Sequence, residues 1–420
     1  MFLQNRKNLI KKMKPNAVAL FYSGKNIVKS TDQFFPFEVN RNFYYLTGIN
    51  QPNSILLIKK TPYDCQTFLF LDDRDPQKVL WDGVFLSFTE ASKISCIKES
   101  NIKKNNIFNS FLLEIINPLR SSFVFSIDIF YFDLLSQYHT SAQEKSQALT
   151  FCQKLLSLYP FLKIENSSPF LLSLRQSKSV YEQNQIKKAL EINEKALNQL
   201  ITKIRPLTNE NDIAAFFHYF LEKNQTKKSY DTIAASGKNA LILHYIRNCS
   251  QLMPNEVLLF DAGVNYNHYS SDITRCYPIS GVFNPLQKQI YNLVLKANKE
   301  IIAFVRPHRT FTQLNHYGKN ILAEGLKELS LWKNDDHIDN YCYHGLSHHL
   351  GLDLHDACNH SDIIGENSVI TVEPGLYLKQ FNLGIRIEDN ILVTKDGSIN
   401  LSQKIPKEIT EIEALMKPLC

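Results

Sequence analysis

The sequence predicts an α/β protein built from two domains. A chain of 420 residues is long for a single hydrophobic core. Its first part alternates apolar segments of strand length with helical segments, which is the pattern of an α/β layer. Near Arg175 this pattern gives way to long amphipathic helices. We therefore predict two domains, 1–173 and 174–420.

In the first domain the predicted strands lie at 17–22, 43–46, 54–58, 67–71 and 123–127. Helical segments lie near 85–97 and at 107–116, and His139 is isolated from other potential ligands. In the absence of a cluster of ligand-type residues, this domain is interpreted as a scaffold or a substrate-framing unit.

The helices predicted in the second domain lie at 181–204, 211–221, 285–304 and 311–329. The first has apolar residues at helical spacing and is closed by Pro206. Strands are predicted at 232–234 and 241–245. After Tyr341, short strands and turns dominate, and Asp396-Gly397 is a hairpin signal.

Composition excludes several classes of protein. With 44% hydrophobic and 21% charged residues, the chain resembles ordinary globular proteins. The net charge of +6 is scattered, which argues against a nucleic-acid-binding face. Neither a membrane span nor a signal peptide is indicated. The eight cysteines lack Cys-x-x-Cys spacing and indicate reduced thiols, so we expect a cytoplasmic protein without membrane or nucleic-acid partners.

Four of the twelve histidines fall within the segment 344–356, His-Gly-Leu-Ser-His-His-Leu-Gly-Leu-Asp-Leu-His-Asp. A helix would place His344 and His348 on one face as a zinc-binding pair. Gly345 and Gly351 weaken a helix, however, and no Glu follows His344 as in zinc proteases. The alternation of apolar residues and histidines favours a strand or a tight β-rich segment.

Carboxylates elsewhere follow apolar strands. Asp261 closes one strand and Asp272 begins the next, so antiparallel pairing would bring them side by side, although each Asp would also suit a plain strand end. Glu373 ends another apolar run before Pro374-Gly375. Glu388 alternates with Ile387 on a strand made for burial, where a carboxylate needs a partner such as Arg386 or a metal ion.

Taken together, Asp261, Asp272, His348, Glu373 and Glu388 offer four carboxylates and one imidazole. Without bound cations the four carboxylate charges of this cluster would repel one another, and two divalent cations would balance them. An oxygen-rich set without sulfur suits manganese, cobalt or iron better than a structural zinc. Two adjacent ions can activate water and polarise a carbonyl, which is hydrolytic chemistry.

The sequence closely resembles the aminopeptidase P group of the pita-bread metallopeptidases (M24B), whose relatives include prolidase and methionine aminopeptidase. The resemblance spans most of the chain and is still visible in the first domain at 40–48. Its most specific motifs are His-Gly-Leu-Ser-His at 344–348, Gly-Leu-Asp-Leu-His-Asp at 351–356, Thr-Val-Glu-Pro-Gly at 371–375 and Gly-Ile-Arg-Ile-Glu-Asp at 384–389.

The resemblance implies a creatinase-like α/β domain followed by a pita-bread catalytic domain that binds two divalent ions, most often Mn²⁺ or Co²⁺. Its metal ligands would be Asp261, Asp272, His348, Glu373 and Glu388. Glu373 would also carry a proton to the leaving nitrogen. The substrate and its tetrahedral intermediate would be held by His244, His344 and His355, with Arg386 and Tyr377 in support.

The implied substrates are peptides with proline at the second position, cleaved before the proline. Ser347 resembles aminopeptidase P more than prolidase, but an Xaa-Pro dipeptidase remains the alternative. A metal-free binding protein on the same fold is a more distant one. Trp81 resembles a family tryptophan that closes a neighbouring subunit's site, which implies a homodimer or homotetramer. Ile246-Arg247 replaces a more polar pair near the expected substrate path.

Overall fold

The computed structural model divides the chain into two compact units, Met1–Leu174 and Arg175–Cys420. It describes residues 1–72, 79–80, 83, 85–117, 127–134, 146–204, 207–333, 336–356 and 363–417. Both units combine helices with strands, so the predicted mixed α/β fold is confirmed. Within the described residues, no helix has the length and apolarity needed to cross a bilayer.

The strands of the first unit are β1 (Ala17–Tyr22), β2 (Val28–Ser30), β3 (Gln33–Phe34), β4 (Ile55–Lys60), β5 (Cys65–Leu71), β6 (Ile102–Lys104), β7 (Ile129–Phe132) and β8 (Lys163–Asn166). Its helices are α1 (Phe2–Lys12), α2 (Arg41–Thr47), α3 (Phe88–Ser95), α4 (Phe108–Ile116) and α5 (Gln147–Leu158), and α6 (Ser168–Gln176) leads into the second unit.

A six-stranded mixed sheet with the order β6-β5-β4-β1-β7-β8 organises the first unit. The central strand β1 is buried at every residue, because it pairs on both sides and is covered on both faces. Leu20, Phe130 and Phe132 pack there against Phe108 and Leu112 of α4. These contacts form one hydrophobic core.

Two of the strands predicted in the first unit differ from the structure or lie partly outside its described residues. The strand predicted at 43–46 is wrong, because these residues belong to α2. The Asn40 side chain caps this helix by accepting a hydrogen bond from the Phe43 amide, and Gly48 ends it with a φ of 70°. Burial on all sides gave the short helix a strand-like composition. Of the predicted strand 123–127, residues 123–126 lie outside the described part, as do His139 and Trp81.

The strands of the second unit are β9 (Lys227–Lys228), β10 (Ile233–Ser236), β11 (Val257–Ala262), β12 (Val264–Tyr266), β13 (Tyr269–Ser270), β14 (Ile273–Pro278), β15 (Val369–Val372), β16 (Gly375–Leu378), β17 (Leu383–Arg386), β18 (Asp389–Val393) and β19 (Ser398–Asn400). Its helices are α7 (Val180–Ile201), α8 (Glu210–Lys223), α9 (Pro285–Phe304), α10 (Phe311–Glu328) and α11 (Ile409–Leu415).

The four helices predicted for this unit are confirmed as α7 to α10. Each begins at a capping box, for example at Ser179 of α7 and Asn284 of α9. The hairpin predicted at Asp396-Gly397 joins β18 to β19. Pro206, predicted to close the first helix, lies outside the described residues.

The strand predicted at 241–245 is wrong. Gly237–Leu241 forms a 3-10 helix, and the chain continues to Ser250 without a strand. The outer edge of β10 is bonded instead by side chains: Asn248 accepts a hydrogen bond from the Ala234 amide and donates one to the Thr232 carbonyl, and Glu210 accepts one from the Ser236 amide. A second strand at this edge would find these backbone groups already paired.

Candidate metal centre

All nine residues predicted for the site line a single cavity of about 470 Å³ in the second unit. Asp261 lies on β11, and Asp272 directly precedes β14, which is paired antiparallel to β11. Glu373 follows β15, and Glu388 lies between β17 and β18. His348 lies in the segment 344–356. The predicted antiparallel neighbourhood of the two aspartates is therefore confirmed.

The histidine-rich segment runs beside β15 without forming a regular strand. Its alternate residues bond to this strand, with the Leu350 amide 2.9 Å from the Val369 carbonyl and the Thr371 amide 2.9 Å from the His348 carbonyl. A single bridge joins His349 to Ile370. The predicted alternation is thus present as a short β-like pairing that presents His348 to the cavity and turns His349 into the core.

Three of the donors form a compact group. The ligand-type atoms of Asp272, His348 and Glu388 all lie within 4.8 Å of one another. His348 donates from Nδ1 to the His349 carbonyl oxygen at 2.9 Å, which leaves Nε2 directed at the carboxylates. This nitrogen lies 3.4 Å from Asp272 Oδ2 and 3.4 Å from Glu373 Oε1. Fixing the tautomer through the second ring nitrogen is how histidine ligands are commonly oriented.

Tyr230 is a site residue that sequence reasoning missed. Its hydroxyl donates to Asp261 Oδ1 and lies 2.6 Å from Asp272 Oδ1. A single hydroxyl proton cannot satisfy two ionised carboxylates at once. No motif or periodicity singles out this tyrosine, and its proximity becomes visible only when β10 and β11 pair in three dimensions.

Burial and mutual repulsion alter the protonation of the carboxylates. Burial raises the pKa of Asp261, with Arg386 opposing the shift. Burial, followed by the charge of Asp272, raises the pKa of Glu388 well above its usual range. Burial also raises the pKa of Glu373 to about 7, with His348 opposing. Each shift indicates that the charged forms lack sufficient positive charge from the chain itself.

The imidazole of His348 responds in the opposite direction. Burial lowers its pKa, but the hydrogen bond with Asp272 and the charge of Glu373 prevail and raise the pKa to about 9. A proton on this ring supplies part of the positive charge that the surrounding carboxylates require. Four carboxylates facing one arginine and one imidazole therefore fit divalent cations, and their oxygen-rich chemistry suits hard or borderline ions.

Arg386 connects the acidic cluster to a histidine. Its Nη2 donates to Asp261 Oδ2 at 2.6 Å, and its Nη1 donates to the Tyr377 hydroxyl at 2.9 Å. That hydroxyl lies 2.9 Å from His344 Nε2, while His344 Nδ1 donates to the Gly345 carbonyl at 2.7 Å. Burial and the charge of Arg386 lower the pKa of His344 to about 3. The His344 ring is therefore neutral near pH 7.

The other histidines differ in exposure. His355 is exposed and stacks on His348 with ring centroids 4.0 Å apart. His244 is exposed in the irregular segment after the 3-10 helix. His349 is buried against Phe311, with ring centroids 5.0 Å apart, and does not line the cavity. Three of the four clustered histidines, together with His244, therefore face the cavity.

Comparison with known proteins places this arrangement in a family. Residues 184–395 match the metallopeptidase family M24, and residues 2–124 match the aminopeptidase P N-terminal domain. The chain belongs to the aminopeptidase P group of family M24. Its second unit is accordingly an M24 pita-bread domain.

M24 relatives match the chain over nearly its whole length. The Xaa-Pro aminopeptidase of Haemophilus influenzae is 32% identical, covering 99% of this chain and 96% of the relative. A solved Bacillus anthracis structure, proposed to be an aminopeptidase P, has 35% identity, a TM-score of 0.93 and coverage of 99% and 97%. Zinc-substituted Escherichia coli aminopeptidase P in complex with product has 29% identity, a TM-score of 0.87 and coverage of 99% and 97%.

Proposed function

We infer that the chain is a metal-dependent exopeptidase that hydrolyses the bond between an N-terminal residue and a following proline. The observation that carries this conclusion is the convergence of four carboxylates and one imidazole on one cavity within an M24 domain. The Xaa-Pro aminopeptidase names of the relatives support the substrate class.

Asp261, Asp272, His348, Glu373 and Glu388 are proposed to hold two divalent metal ions, preferably Mn²⁺. The excess of negative charge and the raised pKa values of Asp261, Glu373 and Glu388 support this assignment. When bound, two such ions activate water and polarise the scissile carbonyl. Removing the ions with a chelator and restoring activity with Mn²⁺, Co²⁺ or Zn²⁺ separately would identify the preferred ion, with Mn²⁺ expected to restore the most.

Glu373 is proposed to move the proton that the leaving nitrogen requires. The nitrogen of an Xaa-Pro bond carries no hydrogen and must be protonated before the proline can depart. The Glu373 carboxylate lines the cavity beside His348, where it can take up a proton and pass it on. Its Oε2 lies 3.8 Å from His344 Nδ1.

His244, His344, His355 and Arg386 complete the proposed catalytic set. Arg386 orients the Tyr377 hydroxyl, which in turn orients the neutral ring of His344. Its Nδ1–H is bound to the Gly345 carbonyl and its Nε2 to the Tyr377 hydroxyl, so the neutral ring is held in one orientation at the cavity without adding charge to it. His244 and His355 stand exposed at the cavity, where they can hold the peptide backbone.

Substrate length separates this proposal from its alternative, an Xaa-Pro dipeptidase. Among the described residues that line the cavity, Arg386 is the sole arginine and no lysine is present. The guanidinium of Arg386 already donates to Asp261, Thr274 and Tyr377. The free carboxylate of a dipeptide would therefore find no unoccupied arginine or lysine there, which favours longer peptides.

A direct test compares hydrolysis of Xaa-Pro and Xaa-Pro-Yaa by the metal-loaded enzyme, with Xaa-Ala-Yaa as the control. Cleavage of the proline tripeptide and release of Pro-Yaa are expected. Cleavage of the dipeptide without cleavage of the tripeptide would establish the dipeptidase instead. Absence of any bound or activating metal would revive the metal-free binding protein.

Three further assignments stay proposals. A homodimer or homotetramer is expected, and light scattering should give the mass of two or four chains. The domain boundary between residues 173 and 174 can be tested by limited proteolysis. A cytoplasmic location is supported by six free thiols among the described cysteines, and cell fractionation would test it.

A further inference from the structure

A carboxylate outside the metal centre holds the irregular segment that forms one wall of the cavity. Glu210 begins α8 and is completely buried. It does not line the cavity. A buried charge is unfavourable unless hydrogen bonds surround it, so the donors that surround this one identify what it holds.

Every donor that the structure assigns to this carboxylate comes from the segment 236–250. Oε1 accepts hydrogen bonds from the amide and hydroxyl of Ser236, at 2.8 and 2.9 Å, and from Asn239 Nδ2 at 2.9 Å. Oε2 accepts from the Tyr245 hydroxyl at 2.8 Å and from the Ser250 amide at 2.8 Å. The contacts thus reach the start, middle and end of the segment.

This segment carries three residues that line the cavity, namely Leu243, His244 and Ile246. After Ser236, the last residue of β10, and the 3-10 helix Gly237–Leu241, it has no regular secondary structure to fix its path. Among the described residues, none is found to hydrogen-bond the ring of His244. The place of that ring therefore depends on the backbone around it.

Tyr245 links the cavity side of this segment to its buried side. It directly follows His244, is buried, and points its hydroxyl at Glu210 while the His244 ring stands exposed at the cavity. Asn248 adds a second attachment by bonding the edge of β10. Neutralising Glu210 would leave several buried donors without their charged acceptor.

We propose that Glu210 is a positioning residue that holds the segment 236–250 and thereby places His244 and Ile246 at the cavity. This role rests on the proposed function, because its catalytic consequence is the placement of a residue that holds the peptide. Glu210 acts through the segment and does not touch the metal centre or the substrate.

A double-mutant cycle tests the proposal. Glu210→Gln should lower kcat/KM for an Xaa-Pro-Yaa tripeptide by about 10- to 100-fold, the range expected for a misplaced contact group. In a His244→Ala background the same change should cause a clearly smaller fold loss, because only the placement of Ile246 is then affected, and metal content should stay that of the wild type. An equal fold loss in both backgrounds would overturn the proposal, because it would indicate general destabilisation.

Glu182→Gln is the matched control. Glu182 is also buried near a helix start, but its hydrogen bonds go to Ser179 and Tyr269, which do not line the cavity. The Glu182→Gln substitution should leave kcat/KM for the tripeptide unchanged. If Glu210→Gln fails to fold, Tyr245→Phe removes one donor from the same carboxylate and should show the same dependence on His244 with a smaller loss.

Hydrogen exchange distinguishes failure of this proposal from failure of the proposed function. Glu210→Gln should accelerate amide exchange in 236–250, whereas Glu182→Gln should not. Unchanged exchange in 236–250 would overturn the positioning role whatever the activity. If wild-type enzyme does not cleave the tripeptide, the proposed function fails, and the exchange result still decides whether Glu210 holds the segment.

Discussion

Glu388 and Asp389 are consecutive buried carboxylates with opposite surroundings. Asp389 accepts hydrogen bonds from Arg275 at 2.8 Å, Lys407 at 2.6 Å and Ser402 at 2.8 Å. Glu388 accepts one from Thr274 at 2.7 Å and otherwise faces Asp261, Asp272 and Glu373. Neighbouring side chains on an extended chain point to opposite sides. Asp389 therefore faces Arg275 and Lys407, and Glu388 faces the cavity.

The two groups differ accordingly in protonation. Burial disfavours the charged form of both, but Arg275 and Lys407 hold the pKa of Asp389 well below its usual range. Burial and the neighbouring carboxylates hold the pKa of Glu388 well above its usual range. Loss of a buried carboxylate that the chain neutralises leaves its cationic partner buried and unpaired, whereas a buried carboxylate without a cation from the chain is suited to binding an external one.

The largest expected effect is on activity. Glu388→Gln should lower kcat/KM for an Xaa-Pro-Yaa tripeptide by about 1000-fold or more, because several kcal/mol of transition-state stabilisation depend on the metal centre. Metal content measured by mass spectrometry should fall in parallel. Glu413→Gln, which alters a carboxylate paired with Lys288 away from the cavity, should retain activity. Wild-type activity in Glu388→Gln would contradict the assignment.

The second prediction concerns stability in the absence of metal. Asp389→Asn leaves the completely buried Arg275 without its charged partner and should cost about 3–5 kcal/mol of unfolding free energy. Glu388→Gln should have the opposite sign and stabilise the metal-free protein, because it removes a carboxylate whose charged form is disfavoured by burial and by the neighbouring carboxylates. Urea unfolding of both variants measures the difference. Destabilisation by both changes would contradict the proposed difference between Glu388 and Asp389.

The third prediction is the pH dependence of the metal-free protein. Glu373 and His348 both have folded-state pKa values above the unfolded ones, at about 7 and about 9. Their stabilising contributions are present below the unfolded pKa values and are lost as pH rises through the folded values. Unfolding free energy should therefore fall between about pH 4.5 and pH 9. Bound metal should reduce this slope, and an identical slope with and without metal would contradict the prediction.

The smallest effect is expected at Tyr230. Tyr230→Phe removes the hydroxyl between Asp261 and Asp272 while keeping the ring, and should weaken metal affinity about tenfold, as for other groups that orient ligands. Metal titration of the apoenzyme would measure this. Tyr266→Phe, on the hairpin strand β12 and outside the cavity lining, is the control and should bind metal like the wild type.

Sequence patterns predicted those parts of the fold that depend on local spacing. Apolar periodicity and capping residues gave α7 and α9, and antiparallel pairing brought Asp261 beside Asp272. The strand predictions for 43–46 and 241–245 were wrong. Residues 43–46 form a buried helix, and the Asn248 side chain occupies the edge of β10 with which a strand at 241–245 would have paired. Local sequence patterns therefore predicted individual helices and strands, but not the contacts that distant parts of the chain make with them.

The contrast between Glu388 and Asp389 shows that limit most clearly. Both follow the same alternating strand, and the sequence offered Arg386 as a possible partner of Glu388. In the structure Arg386 pairs with Asp261 instead, at 2.6 Å. Arg275, the partner of Asp389, comes from β14, more than a hundred positions earlier in the chain. Which carboxylate is neutralised therefore depends on sheet packing.

The most direct measurement is anomalous scattering from crystals of the enzyme grown with Mn²⁺. We expect two manganese peaks among Asp261, Asp272, His348, Glu373 and Glu388, and no peak at Asp389. Absence of both peaks under conditions that support peptide cleavage, or peaks bound elsewhere, would contradict the claim that this acidic cluster binds the catalytic ions.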